Sequence, residues 1–256
     1  MQKILLAEDD NDMRSFLVRA LENAGYEVIS YDNGLSAYNR LCEESFTLLL
    51  TDIVMPEMDG MTALPQILRL KPNTAVIMAS TLTRRNAEIS LKALSLGARD
   101  YIPKPEAQHG MVTADDFRRD LLEKIRALAP RRRATSAPAP GAPSRATALG
   151  RAEPPKPASL LSSGPISLRN PSSVRPRVLL IGSSTGGPPA LTAVLEALGK
   201  APVTVPVLIT QHMPPTFTGI LAEHLARASG LPAAEGKHGE PIAPGRIYVA
   251  PGGRHM

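Results

Sequence analysis

The sequence holds a single cysteine, Cys42, in 256 residues. An internal disulfide is excluded, and such thiol usage suits a reducing compartment, so a cytoplasmic location is expected. Long apolar runs are missing as well. Apolar runs such as 46–50 and 178–181 fall far short of the ~20 residues needed to cross a bilayer, and no membrane insertion is expected. The first residues, Met1-Gln2-Lys3, lead straight into a strand-like run, with neither the apolar stretch nor the small-residue cleavage site of a secretory signal. Positive charge is present, net +5, but most of the chain lacks it. Between Pro130 and Arg177 nine Lys/Arg face one acid, Glu153, so the remainder carries net −3. The basic balance belongs to a tether, which argues against a specific nucleic-acid partner.

What is there reads as two folded segments and a linker. Residues 1–128 alternate short apolar runs (3–7, 27–30, 47–51, 75–79 and 100–103) with helix-period stretches. One such stretch, 13–23, places Phe16, Leu17, Ala20 and Leu21 on one side, and another, 115–128, places Phe117, Leu121, Leu122 and Ile125 together. Five strands alternating with helices predict an α/β, doubly wound, five-stranded parallel sheet. From 129 to 176 the composition turns to Pro, Ala, Ser and Arg, which builds neither ladders nor helices; a disordered linker is expected. Residues 177–256 restart the rhythm with strands at 178–181, 203–210 and 246–250 and helices at 188–198 and 217–228. That segment reads as the first part of a second parallel, Rossmann-like α/β domain.

In parallel sheets chemistry collects beyond the carboxyl ends of strands. Glu8 and Asp9 end the first strand, Asp52 the third, Ser80 the fourth and Lys104 the fifth. Three crowded carboxylates repel one another unless a cation sits among them, and an oxygen-only ligand set suits Mg²⁺. With the metal and Lys104 neutralising phosphoryl oxygens and the Ser80 hydroxyl bonding one of them, the parts for phosphoryl transfer to Asp52 are assembled. Asp10 reads as a helix cap.

Residues 1–128 resemble the response-regulator receiver family through Leu-Ala-Glu-Asp-Asp (6–10), Thr-Asp-Ile-Val-Met-Pro-Glu-Met-Asp-Gly (51–60), Met-Ala-Ser-Thr (78–81) and Tyr-Ile-Pro-Lys-Pro (101–105). The resemblance implies Asp52 as phospho-acceptor, Mg²⁺ held by Glu8, Asp9, Asp52 and the Val54 carbonyl, and Ser80 and Lys104 as sensors of phosphate. It implies Tyr101 as a switch aromatic and a cis Lys104–Pro105 bond that aims the lysine.

The second segment reads Val-Leu-Leu-Ile-Gly-Ser-Ser-Thr-Gly-Gly at 178–187, a G-x-S-x-G between strand and helix. Glycines there permit the tight turn that lifts Ser184 above the sheet edge, and amides at the helix start can face an oxyanion. A plain phosphate-cradling loop is the rival reading, though the lysine of a P-loop is absent. Of five histidines, His212 directly follows a strand and shares the Ser184 edge if the two strands are parallel neighbours; His224 lies in a helix and His238 in a Gly-rich loop, where solvated roles are expected, and His255 follows Pro-Gly-Gly.

With Gln-His-Met-Pro (211–214) and Tyr-Val-Ala-Pro-Gly-Gly-Arg-His (248–255), residues 177–256 resemble the start of the CheB-type protein-glutamate methylesterase domain of bacterial chemotaxis. The resemblance implies Ser184 as nucleophile, His212 as its base, Thr185 as an oxyanion-side neighbour and no cofactor at this site. It implies hydrolysis of glutamyl methyl esters and deamidation of glutamines on methyl-accepting chemoreceptors, with a CheA-type histidine kinase as phosphate donor. The family's triad closes with an aspartate far downstream of the histidine, whereas the last aspartate here is Asp120. A shortened enzyme is therefore expected, with the faces of 178–181 and 207–209 partly exposed. Residues 1–60 are closer to single-domain cell-cycle receivers, and the match to the methylesterase type begins at Met61. Two functions stay open: a phosphorylation-controlled esterase whose receiver covers the Ser184 edge, and a phospho-receiver binding module with an inactive tail. A DNA-binding output lacks a helix-turn-helix candidate after 177.

Overall fold

The computed structural model describes residues 2–81, 83–105, 113–128 and 174–256; nearly all of the expected linker lies outside the described residues. Five strands, β1 (Lys3–Ala7), β2 (Glu27–Tyr31), β3 (Leu48–Asp52), β4 (Ala75–Ser80) and β5 (Asp100–Pro103), pair in the order β2-β1-β3-β4-β5, each pair parallel. Successive strand residues point to opposite faces, and both faces here are apolar. Ile4, Leu6, Leu48, Leu50 and Ile77 pack with Leu17 and Leu21 of α1 (Asn11–Asn23) and with Phe117, Leu121 and Ile125 of α5 (Ala114–Leu128). Leu5, Leu49, Val76 and Met78 join a second cluster with Leu41 of α2 (Gly34–Glu43), Leu64 of α3 (Gly60–Leu70) and Leu91 of α4 (Arg84–Ser95). Helices thus cover the sheet on both sides.

A second all-parallel sheet contains β6 (Leu179–Ser183), β7 (Val207–Gln211), β8 (Ala233–Glu235) and β9 (Ile247–Val249) in the order β6-β7-β9-β8. Its helices are α6 (Gly187–Leu198), opened by Pro188 and Pro189 where a missing N–H costs nothing, and α7 (Pro215–Ser229). Residues Met1–Arg131 and Pro176–Met256 form one compact unit. The Tyr101 ring of β5 stacks on Phe217 of α7, centroids 4.6 Å apart and planes within 7°. A cleft of about 460 Å³ between α4 and the α6/α7 pair is lined by Leu91, Pro189, Leu221, His224 and Arg227.

Several boundaries move from the sequence reading. The strand expected from 203 begins at Val207, because Pro206 has no N–H to give a ladder. Strand β6 runs on to Ser183, whose register partner is Gln211. Strand β8 was not anticipated: Ala-Ala-Glu has little intrinsic strand preference, and its parallel pairing with β9 forms it. Of the strand faces expected to be exposed, Val207 and Ile209 are buried while Leu180, on edge strand β6, is 68% exposed. The described residues contain no cis peptide bond, so Lys104–Pro105 is trans, against expectation. The lysine reaches its partners without one, since its N–H is already fixed to the Ser80 carbonyl at 2.7 Å.

Candidate functional site

The first site is built at the ends of β1, β3 and β5. The Asp52 Oδ1 accepts the Ile53 N–H at 2.6 Å, leaving Oδ2 to the Lys104 ammonium at 2.5 Å. The same Nζ donates to Glu8 Oε1 at 2.7 Å. Gly60 allows the loop after β3 to fold back, for a Cβ there would lie 2.2 Å from the Asp52 carbonyl oxygen. Asp10 caps α1, accepting from the Met13 N–H at 2.8 Å. Glu8 is fully buried, and its Oε2 has no hydrogen-bond partner among the described residues. Burial pushes the Glu8 carboxyl up, against the pull of Lys104. Burial works against the Lys104 ammonium, yet Asp52 and Glu8 outweigh it and hold the lysine above its ordinary value.

Carboxylate oxygens of Glu8, Asp9 and Asp52 lie within 4.8 Å of one another. A buried, unpartnered Oε2 beside two further carboxylates is a donor set that fits a hard metal ion. Val54 sits two residues past β3 with its side chain 66% exposed, so packing does not explain its position. Ser80 is 1% exposed, and its hydroxyl accepts from the Ser90 hydroxyl of α4 at 3.0 Å; it makes no hydrogen bond to Asp52. Tyr101 is 3% exposed; burial, then Asp100 and Asp120, pushes its hydroxyl well above the usual tyrosine value.

The second site sits where β6 and β7 end together. Ser183 and Gln211 are register partners, and the His212 N–H donates to the Ser183 carbonyl at 2.9 Å. That pairing sets the next residue of each strand side by side: Ser184 Oγ lies 3.4 Å from His212 Nδ1, both residues exposed. Gly186 takes φ +73°, a left-handed conformation that suits glycine, and α6 starts immediately after it. Among the described residues no carboxylate hydrogen-bonds the His212 ring; burial pushes the Asp120 carboxyl of α5 up, against the pull of Lys124 and then of His212. His238 and His255 are exposed, whereas His224 is half-buried in the α4–α7 cleft and is held below 6.5 by burial and then by Arg227.

Three participants escaped the sequence reading. Asp100, at the start of β5, places Oδ2 3.3 Å from the Gly186 N–H and 3.2 Å from Lys124 Nζ, so the first segment touches the serine turn. Nothing in the sequence pairs residues 86 positions apart. Phe217 looks like ordinary helix core until Tyr101 is seen against it. Gln211 looks like a strand-end polar residue, although its place directly before His212 was a signal.

The family model for the response regulator receiver domain matches residues 4–114, and that for CheB methylesterase matches residues 179–256. The chain is 51% identical over 265 residues to a protein-glutamate methylesterase/protein-glutamine glutaminase of group 2 operon from Bradyrhizobium diazoefficiens, covering 99% of this chain and 67% of that protein. It is 51% identical over 257 residues to a protein of the same activity name from Rhodopseudomonas palustris (strain HaA2), covering 99% and 66%. The chain thus spans about two thirds of the length of these relatives. Among solved structures, the response regulator domain of Thermotoga maritima CheB is 33% identical, with a TM-score of 0.44, covering 50% of this chain and 96% of that one. The chain belongs to the CheB-type family of protein-glutamate methylesterase/protein-glutamine glutaminase response regulators.

Proposed function

We propose that the protein is a phosphorylation-controlled serine esterase that removes methyl groups from glutamyl esters of chemoreceptors and deamidates specific glutamines. One observation carries the reading: a serine on a strand-to-helix turn with a histidine nitrogen 3.4 Å away on the neighbouring strand end. That distance is long for a hydrogen bond but within the looseness that resting sites show before substrate tightens them. In the proposed step His212 takes the Ser184 proton as Oγ attacks the ester carbonyl. The imidazolium returns that proton to the departing methoxide, and methanol leaves. Water, deprotonated by the same imidazole, then hydrolyses the acyl-serine. Thr185, next in the turn, stands on the oxyanion side.

In the receiver, Asp52 takes the phosphoryl group from a CheA-type histidine kinase. Glu8, Asp9, Asp52 and the Val54 carbonyl would hold Mg²⁺, which when bound would neutralise charge on the transferring phosphoryl oxygens. Lys104, now paired with Asp52, turns to the phosphate; the Ser80 hydroxyl, which accepts from Ser90, donates its own proton to a phosphoryl oxygen. One strand links this event to the esterase: β5 has Lys104 just beyond its end, Asp100 at its start and Tyr101 between them. Asp100 engages the Gly186 N–H and Tyr101 engages Phe217, so altered charge beside Lys104 is felt at the serine turn. On this reading the protein itself works in the cytoplasm.

The second reading, a phospho-receiver with an inert esterase segment, is favoured by the absence of a carboxylate hydrogen-bonded to His212 among the described residues. In serine proteases, losing that group lowers kcat on the order of 10⁴. Hydrolysis of a simple glutamyl methyl ester by the protein and by Ser184→Ala separates the two. The esterase reading expects hydrolysis that Ser184→Ala abolishes; equal rates reject it.

A further inference from the structure

Gln211 ends β7 and is 6% exposed, a neutral amide enclosed beneath two candidate catalytic residues. Every polar atom of its side chain is engaged. Nε2 donates to the Ser184 carbonyl at 2.9 Å and to the His212 carbonyl at 3.1 Å, while Oε1 accepts the Ser183 hydroxyl at 2.6 Å. These contacts also fix the amide's orientation, because only the NH₂ end can face two carbonyls. The side chain fills the space beneath the turn: a Cβ on Gly187 would lie 2.0 Å from Oε1. Gly187 is therefore glycine to admit this amide.

We infer that Gln211 is the positioning residue of the serine–histidine pair, a clasp that sets the Ser184 and His212 backbones relative to each other. The inference rests on the esterase reading above, but its origin is independent of that chemistry. The Ser184 carbonyl is held twice, by Gln211 and by the Gly187 N–H at 2.8 Å. In a trans peptide the C=O and the following N–H point in opposite directions. Drawing the Ser184 carbonyl inward turns the Thr185 N–H outward, and among the described residues that N–H has no protein acceptor. The same amide, through the His212 carbonyl, anchors the backbone from which the imidazole projects. One side chain thus fixes nucleophile, base and the amide between them. A shift of about 1 Å in such a constellation is enough to cost 10²-fold in rate.

Gln211→Glu tests this with nearly unchanged shape, since it sets a carboxylate oxygen against two carbonyls and removes both donors. Gln211→Met removes all three bonds without adding charge, and serves if the charged variant does not fold. Three readouts apply: kcat and KM for the methyl ester, the rate at which a fluorophosphonate labels Ser184, and the ¹⁵N shifts of the His212 ring, which report its bond to Ser184. The clasp predicts that kcat and labelling fall at least tenfold, that KM stays within twofold, and that the ring signature of the Ser184 bond is lost. Ser183→Thr, which keeps the hydroxyl on Oε1, should retain most of the rate, and Ser183→Ala should lose part of it. Unchanged kcat and an unchanged ring signature in a folded variant would overturn the inference. So would a fall in melting temperature with labelling per folded molecule unaffected, since that outcome marks a merely structural amide. If the wild-type protein is not labelled at all, the esterase reading fails, and the ring signature alone still decides whether Gln211 sets the pair.

Discussion

Around Asp52 three carboxylates crowd against a single ammonium, whereas Ser184 and His212 are positioned by strand register and a neutral amide and left open to solvent. Lys104 bridges Asp52 and the buried Glu8, an arrangement that ligand binding must rearrange. Among the described residues Ser184 and His212 have no charged hydrogen-bond partner, and they are set by strand register and by Gln211. The comparison teaches that the first site is organised to respond to charge and the second to be geometrically ready. A switch built from one and an output built from the other follow from that contrast.

The largest effect that could break the comparison is at the acceptor. Incubation with Mg²⁺ and acetyl phosphate should label the protein, and Asp52→Ala should abolish labelling; persistence would mean that the charged site is not the responsive one. Next is the bridge. Lys104→Ala leaves Glu8 buried without its ammonium, and unfolding measurements should show a loss of about 3 kcal/mol. Mg²⁺ should recover much of it, because a cation among the carboxylates replaces the lost charge; a loss that Mg²⁺ does not touch would place the metal elsewhere.

Smaller effects probe the join between the two regions. A double-mutant cycle on Tyr101→Leu and Phe217→Leu should return a coupling of about 1 kcal/mol, the worth of a stacked aromatic pair beyond its buried area. Additive changes would mean that the rings merely coexist. The smallest effect is at His224. Its imidazole is held below 6.5 in the fold by burial and Arg227, with Glu223 and Glu88 pulling the other way. The unfolded chain therefore binds a proton more readily. The stabilising contribution is complete above about pH 6.5 and is lost as pH falls through the lower folded value. His224→Gln should flatten the stability profile in that window, and an unchanged slope would discard the assignment.

Much of this arrangement was legible in the sequence, for reasons that differ between the regions. Alternating strands and helices gave the strand ends, and the strand ends gave Glu8, Asp9, Asp52, Lys104, Ser184 and His212, because parallel sheets bring such positions together wherever the chain lies between them. Asp10 as a cap was readable for a local reason, its side chain reaching only three residues ahead. What stayed hidden depends on tertiary neighbours. The Ser80–Ser90 bond, the Asp100 contact with Gly186 and the ring stack of Tyr101 on Phe217 join residues that no local pattern pairs. The trans Lys104–Pro105 bond was misjudged because the resemblance supplied a backbone detail that the lysine's reach to Asp52 does not require. Strand β8 was missed because its partner strand, not its composition, makes it a strand.

The central claim, that charge at Asp52 governs a serine at the end of β6, is tested most directly by the labelling rate of Ser184. A fluorophosphonate should modify Ser184 slowly in the unphosphorylated protein and faster once acetyl phosphate and Mg²⁺ have phosphorylated Asp52, while Asp52→Ala should stay at the slow rate throughout. Identical labelling rates before and after confirmed phosphorylation would contradict the account.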